Sequence, residues 1–149
     1  MNQQTNHSKT TAPWHFWVVG ILALVWNSIG ALDYTMTQTR NTSYMSSFTP
    51  EQLAYFYSIP KWAIATWALS VWGGVLGSLA LLLRRRWAAP VFAVSLVTML
   101  PTFFQNYVLT DGIAVMGGAG ALIFTAVIVI VGVVLLTYAR NQTRNRILR

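Results

Sequence analysis

Cysteine is absent from this 149-residue chain, and only three of its residues are acidic. The first absence removes disulfides, thiol nucleophiles, iron–sulfur ligation, thiolate zinc sites and quinone-linked disulfide chemistry together. The second belongs to a general shortage: charged residues make up 9% of the chain, against about 25% in soluble domains, which excludes an ordinary water-soluble fold. Histidine is nearly as scarce. His7 and His15 share no span with a second histidine, so haem or metal ligation is not expected. Phosphate loops, Ser–His–Asp arrangements and Glu-x-x-His motifs are also missing, and neither a cofactor nor an enzymatic activity is expected.

What is present is apolar. Hydrophobic residues reach 55%, the mean hydropathy is +0.51, and four uncharged runs stand out, at 14–32, 62–83, 87–109 and 113–138. A bilayer core roughly 30 Å thick takes about 20 helical residues, so four spans use most of the chain. The expected fold class is therefore all-α, a four-helix transmembrane bundle. Residues 1–13 read as a disordered tail and residues 140–149 as a basic tail. Pro13 suits a first helical turn, and Trp14, Trp17, Trp62 and Trp87 suit headgroup-level belts. Lys9, the first run and Ser28-Ile29-Gly30 also have the form of a secretory signal with its cleavage site, but the run is longer than a usual signal core.

Charge patterning orients the spans. Of the 10 basic residues, eight fall on one side: Lys9, the triplet Arg84–Arg86, and Arg140, Arg144, Arg146 and Arg149. The other side has Arg40 and Lys61 and all three acids, Asp33, Glu51 and Asp111. By the positive-inside rule both termini and the triplet are expected in the cytoplasm, which an even number of spans allows. The cytoplasmic side then reads mainly as an arginine anchor. A net charge of +7 in a soluble protein would point to nucleic acid; arginines flanking apolar segments point instead to anionic lipid headgroups as the counter-charge.

The only long connection, between the first two runs, is rich in Tyr, Phe and Met and should lie on something. Within it, Thr49-Pro50-Glu51-Gln52 has the form of a capping box with proline in the first turn, predicting a short interfacial helix over 50–57. Arg84-Arg85-Arg86 and Thr110-Asp111-Gly112 predict two tight turns, and Pro101 predicts a kink in the third span.

Two constellations inside the spans could do more than fill space. Gly73, Gly74, Gly77 and Ser78 carry small-xxx-small spacing, which lets helix backbones approach closely, either within the bundle or between copies. Ser95, Thr98, Thr102 and Gln105 recur at helical spacing. Their hydroxyls would either satisfy the backbone broken at Pro101 or line a hydrated groove. Asn27, Asp33, Arg40, Asn106 and Asp111 map to the same outer half and would form its mouth, with Arg40 placed to pair with an acid. Of the deeper tryptophans, Trp26, Trp67 and Trp72, ordinary packing is expected before an aromatic pocket.

Trp26-Asn27, Asp33-Tyr34, Met36-Thr37, Arg40, Phe48-Thr49-Pro50-Glu51-Gln52-Leu53 and Val71-Trp72-Gly73-Gly74 with Gly77-Ser78 together resemble a group of small four-span bacterial inner-membrane proteins, some labelled "sugar transporter". The resemblance runs over nearly the whole chain, with its motif-like part ending near Trp87. It implies a bacterial inner membrane and brings no catalytic or transport residues with it. Two functions are carried forward. One is a non-enzymatic interaction or accessory subunit of a membrane assembly, self-associated or in a larger complex. The other is an oligomeric carrier or channel for a small neutral polar solute such as a sugar, lined by Asn27, Asp33, Arg40, Thr98, Thr102, Gln105, Asn106 and Asp111.

Overall fold

The computed structural model describes residues 11–149, so most of the expected N-terminal tail, with His7 and Lys9, lies outside the described residues. Seven helices follow: α1 (Trp14–Gln38), α2 (Thr42–Met45), α3 (Pro50–Ser58), α4 (Lys61–Leu82), α5 (Ala88–Phe104), α6 (Gly112–Val115) and α7 (Ala119–Arg144), with a π-helical turn over Gln105–Leu109. Four segments are long and apolar enough to cross a membrane: α1, α4, α5 with the π turn, and α7. The protein is an all-helical transmembrane bundle. One end holds the α4–α5 hairpin and the C-terminus, here the arginine end; the other holds α2, α3 and α6, here the loop end.

α4 is the central helix, packed on α1 along one side and α5 along the other, while α7 lies on α5. Missing side chains on α4 allow this. A β-carbon on Gly74 would fall 2.0 Å from Asn27 Oδ1 of α1, and one on Gly77 would fall 2.8 Å from the Phe92 ring of α5. Gly73 sits against Ser95 of α5, whose Cβ would be 3.1 Å away. The close-approach spacing is thus filled from within the chain, and Gly74, Gly77 and Ser78 are buried there.

The buried apolar core gathers at the arginine end. Phe16, Leu81, Phe92, Leu135, Ala139 and Leu148 belong to one cluster, and Phe16, Leu81 and Leu148 are fully buried. Leu148 is there because the C-terminus folds back: Arg86 N donates to Arg149 O at 3.0 Å, and Arg149 N donates to Arg84 O. The stretch 140–149 is therefore part of the fold and not a tail. It is helical to Arg144 and then clasps the hairpin. The arginine end is correspondingly more than an anchor.

Several boundaries differ from the sequence expectation. α1 continues past residue 32 to Gln38, because Thr35 and Thr39 hydroxyls bond Ala31 O and Thr35 O at 2.7 Å and Asp33 finds a partner outside the helix. The fourth span starts at Ala119, not 113, because Gly117 and Gly118 take positive φ (108° and 60°) and isolate α6 as a single turn. Pro101 stays inside α5, and the irregular backbone comes a turn later as the π turn.

Three of the long helices end alike. Arg40, Arg84 and Arg146 take left-handed φ of 49°, 56° and 57°. In each case the residue after the arginine donates to the carbonyl five positions back: Asn41 to Met36, Arg85 to Ala80, Ile147 to Gln142. These are Schellman motifs with arginine in the position glycine usually takes.

The α1–α4 contact is the most demanding in the bundle and can be tested directly. Gly74→Ala should destabilise the detergent-solubilised protein by about 1–3 kcal/mol through overpacking against Asn27. Asn27→Ala alone should cost little, since interhelical hydrogen bonds in membranes average about 0.6 kcal/mol. Combined, the two should cost less than the sum of the single changes. Thermal or dodecyl-sulfate unfolding reads the cycle, and strict additivity would show that the two positions do not meet.

Candidate functional site

At the loop end, the side chains form a lid, and aromatic residues build it. The Tyr44 hydroxyl donates to Asp33 Oδ1, joining α2 to α1. Tyr44 packs on Phe48, and Phe48 on Phe56, with ring centroids 5.5 and 5.1 Å apart. Met45 is buried, α2 packs on α1 and α3 on α6, so the long connection does lie on something. In α3 both halves of the capping box form: Gln52 N donates to Thr49 Oγ1 at 3.3 Å and Thr49 N to Gln52 Oε1 at 3.1 Å. The other end of that same amide, Gln52 Nε2, donates to Val115 O at 3.2 Å and ties α3 to α6.

Tyr55 closes the lid over the π turn. Its hydroxyl donates to Asn106 Oδ1 at 2.9 Å and lies 3.3 Å from Thr110 Oγ1, which in turn donates to Gln105 O at 2.9 Å. A π turn widens the helix and leaves carbonyls poorly matched to the ladder, so a hydroxyl that reaches them has a backbone role. Gly112 is required beneath it, because a β-carbon there would fall 2.5 Å from both Tyr55 Oη and Asn106 O.

The eight residues expected to line one groove do not come together in one. Asp33 is taken by Tyr44, while the Arg40 guanidinium sits 4.3 Å from the centre of the Tyr57 ring, so the expected Arg40–acid pair is replaced by a cation–π contact. Asp111 is exposed and serves its turn through its carbonyl, which accepts from Val115 N at 3.1 Å. Thr102 Oγ1 lies 3.0 Å from Thr66 Oγ1, and Ser95 Oγ donates to Ser70 O at 2.7 Å, which makes both of them links between α5 and α4. Thr98 instead bonds its own helix, donating to Val94 O at 2.9 Å and Ser95 O at 3.1 Å. Neither threonine reaches the Val97 carbonyl that Pro101 deprives of its usual donor.

Asn27 belongs to the other half of the bundle. Its Nδ2 donates to Ala23 O at 2.8 Å and Ser78 Oγ at 3.2 Å, and Ser78 Oγ donates to Gly74 O at 2.8 Å. Ser78 is one turn from the arginine end of α4, so Asn27 is not part of a loop-end mouth. It does line a cavity between α1, α5 and α7, with Trp26, Ser95, Met99, Ile128 and Gly132, but the volume is only about 40 Å³. Sites for drug-sized ligands span about 300–1,000 Å³. Of the remaining candidates, Gln105 is 7% exposed, and no hydrogen bond joins its amide to another described residue.

Sequence reasoning missed Tyr44, Tyr55, Tyr57, Thr66 and Thr110, the partners that organise this end. The only signal for the tyrosines was their density in a connection that should otherwise be polar. Compared with known proteins, the chain matches no family model, no curated protein and no solved structure.

The Tyr44–Asp33 contact has a titration signature. Burial, the hydrogen bond to Asp33 and the charge of that carboxylate push the Tyr44 phenol up to about 12. A phenol raised above its ordinary value of about 10 stabilises the fold below pH 10, and that contribution is lost as the pH rises through 12. Asp33→Asn should bring the highest phenol titration, read by absorbance near 295 nm, back toward the ordinary range, and Tyr44→Phe should delete it. A last titration step that is unchanged in both variants would assign it to another tyrosine.

Proposed function

We propose that this protein is a non-enzymatic accessory subunit of a membrane assembly, and that α7 is the helix through which it joins its partner. The observation that carries this is the uneven burial of the four spans. The most apolar window of α7 has a mean hydropathy of 2.9 and only 6% of it is buried, whereas the other three windows are 22–33% buried. α7 rests chiefly on α5, and it meets α1 near the arginine end, where the Phe16 and Tyr138 rings stack at 6.5 Å. Its loop-end half has exposed Gly120, Leu122, Ile123, Phe124 and Ala126. Large apolar residues flanked by small ones on one helix suit a neighbouring apolar helix, because helix association in lipid depends on van der Waals packing. The glycine face of α4 is unsuited to this role, being occupied by Asn27 and Phe92. A bacterial inner membrane with both termini in the cytoplasm is the setting that the resemblance and the arginine distribution support.

A carrier for a small neutral polar solute is the second reading, favoured by Gln105, which is 7% exposed and whose amide makes no hydrogen bond to another described residue. It ranks below because the other seven groove residues are divided among separate contacts, and the cavity beside Asn27 is far smaller than a sugar site.

The absence of native cysteine makes the α7 proposal simple to test. Single cysteines at Ala126 on α7 and at Leu22 on α1, both exposed, are introduced into the full chain, capped with a maleimide-linked benzophenone and illuminated in native membranes, so that the cross-link inserts into a C–H bond of the neighbour and needs no thiol there. Ala126→Cys should give an adduct of one defined mass and Leu22→Cys should give none. The mass distinguishes a second copy from a different subunit. No adduct from Ala126→Cys or from Phe124→Cys would sink the proposal.

A further inference from the structure

A second surface, on the opposite side of α5 from the small cavity, has the form of a lipid site. α4 and α5 leave an open apolar groove of about 420 Å³ between them, walled by Leu69, Trp72 and Leu76 on α4 and by Pro90, Val91 and Val94 on α5, with Gly73 among its lining residues. Helical spacing continues both walls toward the arginine end, to Leu83, the C-cap of α4, and Trp87, the N-cap of α5, which are 66% and 46% exposed. The hairpin turn between these two positions carries Arg85 and Arg86, both exposed. Neither guanidinium has a hydrogen-bond or ion-pair partner among the described residues.

The electrostatics at this end are one-sided. Seven arginine side chains lie there, at 84, 85, 86, 140, 144, 146 and 149, and all three acidic side chains of the chain lie at the other end. No acidic side chain lies at this end to offset Arg85 and Arg86. A phosphate at headgroup level supplies the counter-charge, and arginine forks suit phosphate oxygens. An anion alone would leave the groove unused; an apolar ligand alone would leave the arginines unpaired.

We propose that the α4–α5 groove with Arg85 and Arg86 is a binding site for one anionic phospholipid, an acyl chain lying against Trp72 and Gly73 and the phosphate held at the hairpin. Trp87 is placed at the boundary between chain and headgroup, where tryptophan is favoured. The site selects by headgroup charge and by access to a chain, which distinguishes it from general attraction of arginines to an anionic surface.

The test uses the full chain in detergent, titrated with phosphatidylglycerol or phosphatidylcholine and read by native mass spectrometry. One phosphatidylglycerol should be retained in preference to phosphatidylcholine. Arg85→Gln with Arg86→Gln should weaken that retention about 30-fold, from roughly fivefold per arginine near headgroups, while the paired lysine variant should keep most of it. Ala68→Phe or Leu76→Trp, filling the groove, should also weaken it, and glycerophosphoglycerol, which has no acyl chains, should not compete. Equal retention of both lipids, or competition by the chain-free headgroup, would overturn the proposal. So would retention that survives both groove-filling variants or is lost instead in Arg144→Gln with Arg149→Gln.

Discussion

The bundle depends on one feature of α4: around Gly73, Gly74, Gly77 and Ser78 it has almost no side chain on two of its sides. Lipid tails are as apolar as leucine, so spans gain nothing by hiding hydrophobic surface from one another; they gain only from close packing and from hydrogen bonds between helices. α4 offers both. Gly74 admits Asn27, whose amide reaches Ser78, and Gly77 admits the Phe92 ring. Ser70 O and Thr66 Oγ1 then receive Ser95 and Thr102 from the other side. With α1 and α5 both seated on α4, α7 lies mainly against α5, and its exposure follows from the same crowding.

The two ends of the bundle are held by different forces. At the arginine end Phe16, Leu81, Phe92, Leu135 and Leu148 close an apolar core, and the backbone of residues 147–149 finishes it by pairing with the hairpin. At the loop end few residues are buried, and order comes from directed contacts: Tyr44 to Asp33, Tyr55 to Asn106, Gln52 to Val115. A single hydrogen bond contributes about 0.5–1.5 kcal/mol, while the arginine end adds to its backbone bonds the close packing of many side chains, each making tens of small van der Waals contacts. Local opening is therefore expected to begin at the lid and the π turn, with the arginine end holding the bundle together.

Much of this architecture was legible in the chain. Four apolar runs gave four spans because lipid allows a run that long only one structure, and the α3 capping box was legible because its two bonds are local. Less local features were hidden. α1 outlasts its apolar run because Asp33 finds Tyr44, eleven residues away and without any spacing rule to announce it. The fourth span starts late because two successive glycines choose positive φ, which their sequence permits but does not require. The candidate groove failed for a related reason. Periodicity says which residues share a helical face, yet not which helix that face meets, so Ser95 and Thr102 read as a lining when they are links to α4.

The arginines at the helix ends show two demands meeting at one residue. A left-handed residue other than glycine costs of order 1–3 kcal/mol, and a cation at a helix C-terminus recovers about 0.3–1 kcal/mol from the macrodipole. On local geometry alone glycine should win at positions 40, 84 and 146, and at none of them does it. Something beyond the turn must favour charge there. Arg40 has the Tyr57 ring, and Arg84 has the Ile147 carbonyl, to which its Nε donates at 3.0 Å within the clasp. Each of these contacts needs a long cationic side chain leaving the helix at the angle a Schellman turn provides. The same residue that stops the helix at the membrane boundary thus fastens the next segment of chain to it, and the position of charge along the sequence becomes a statement about packing as well as about topology.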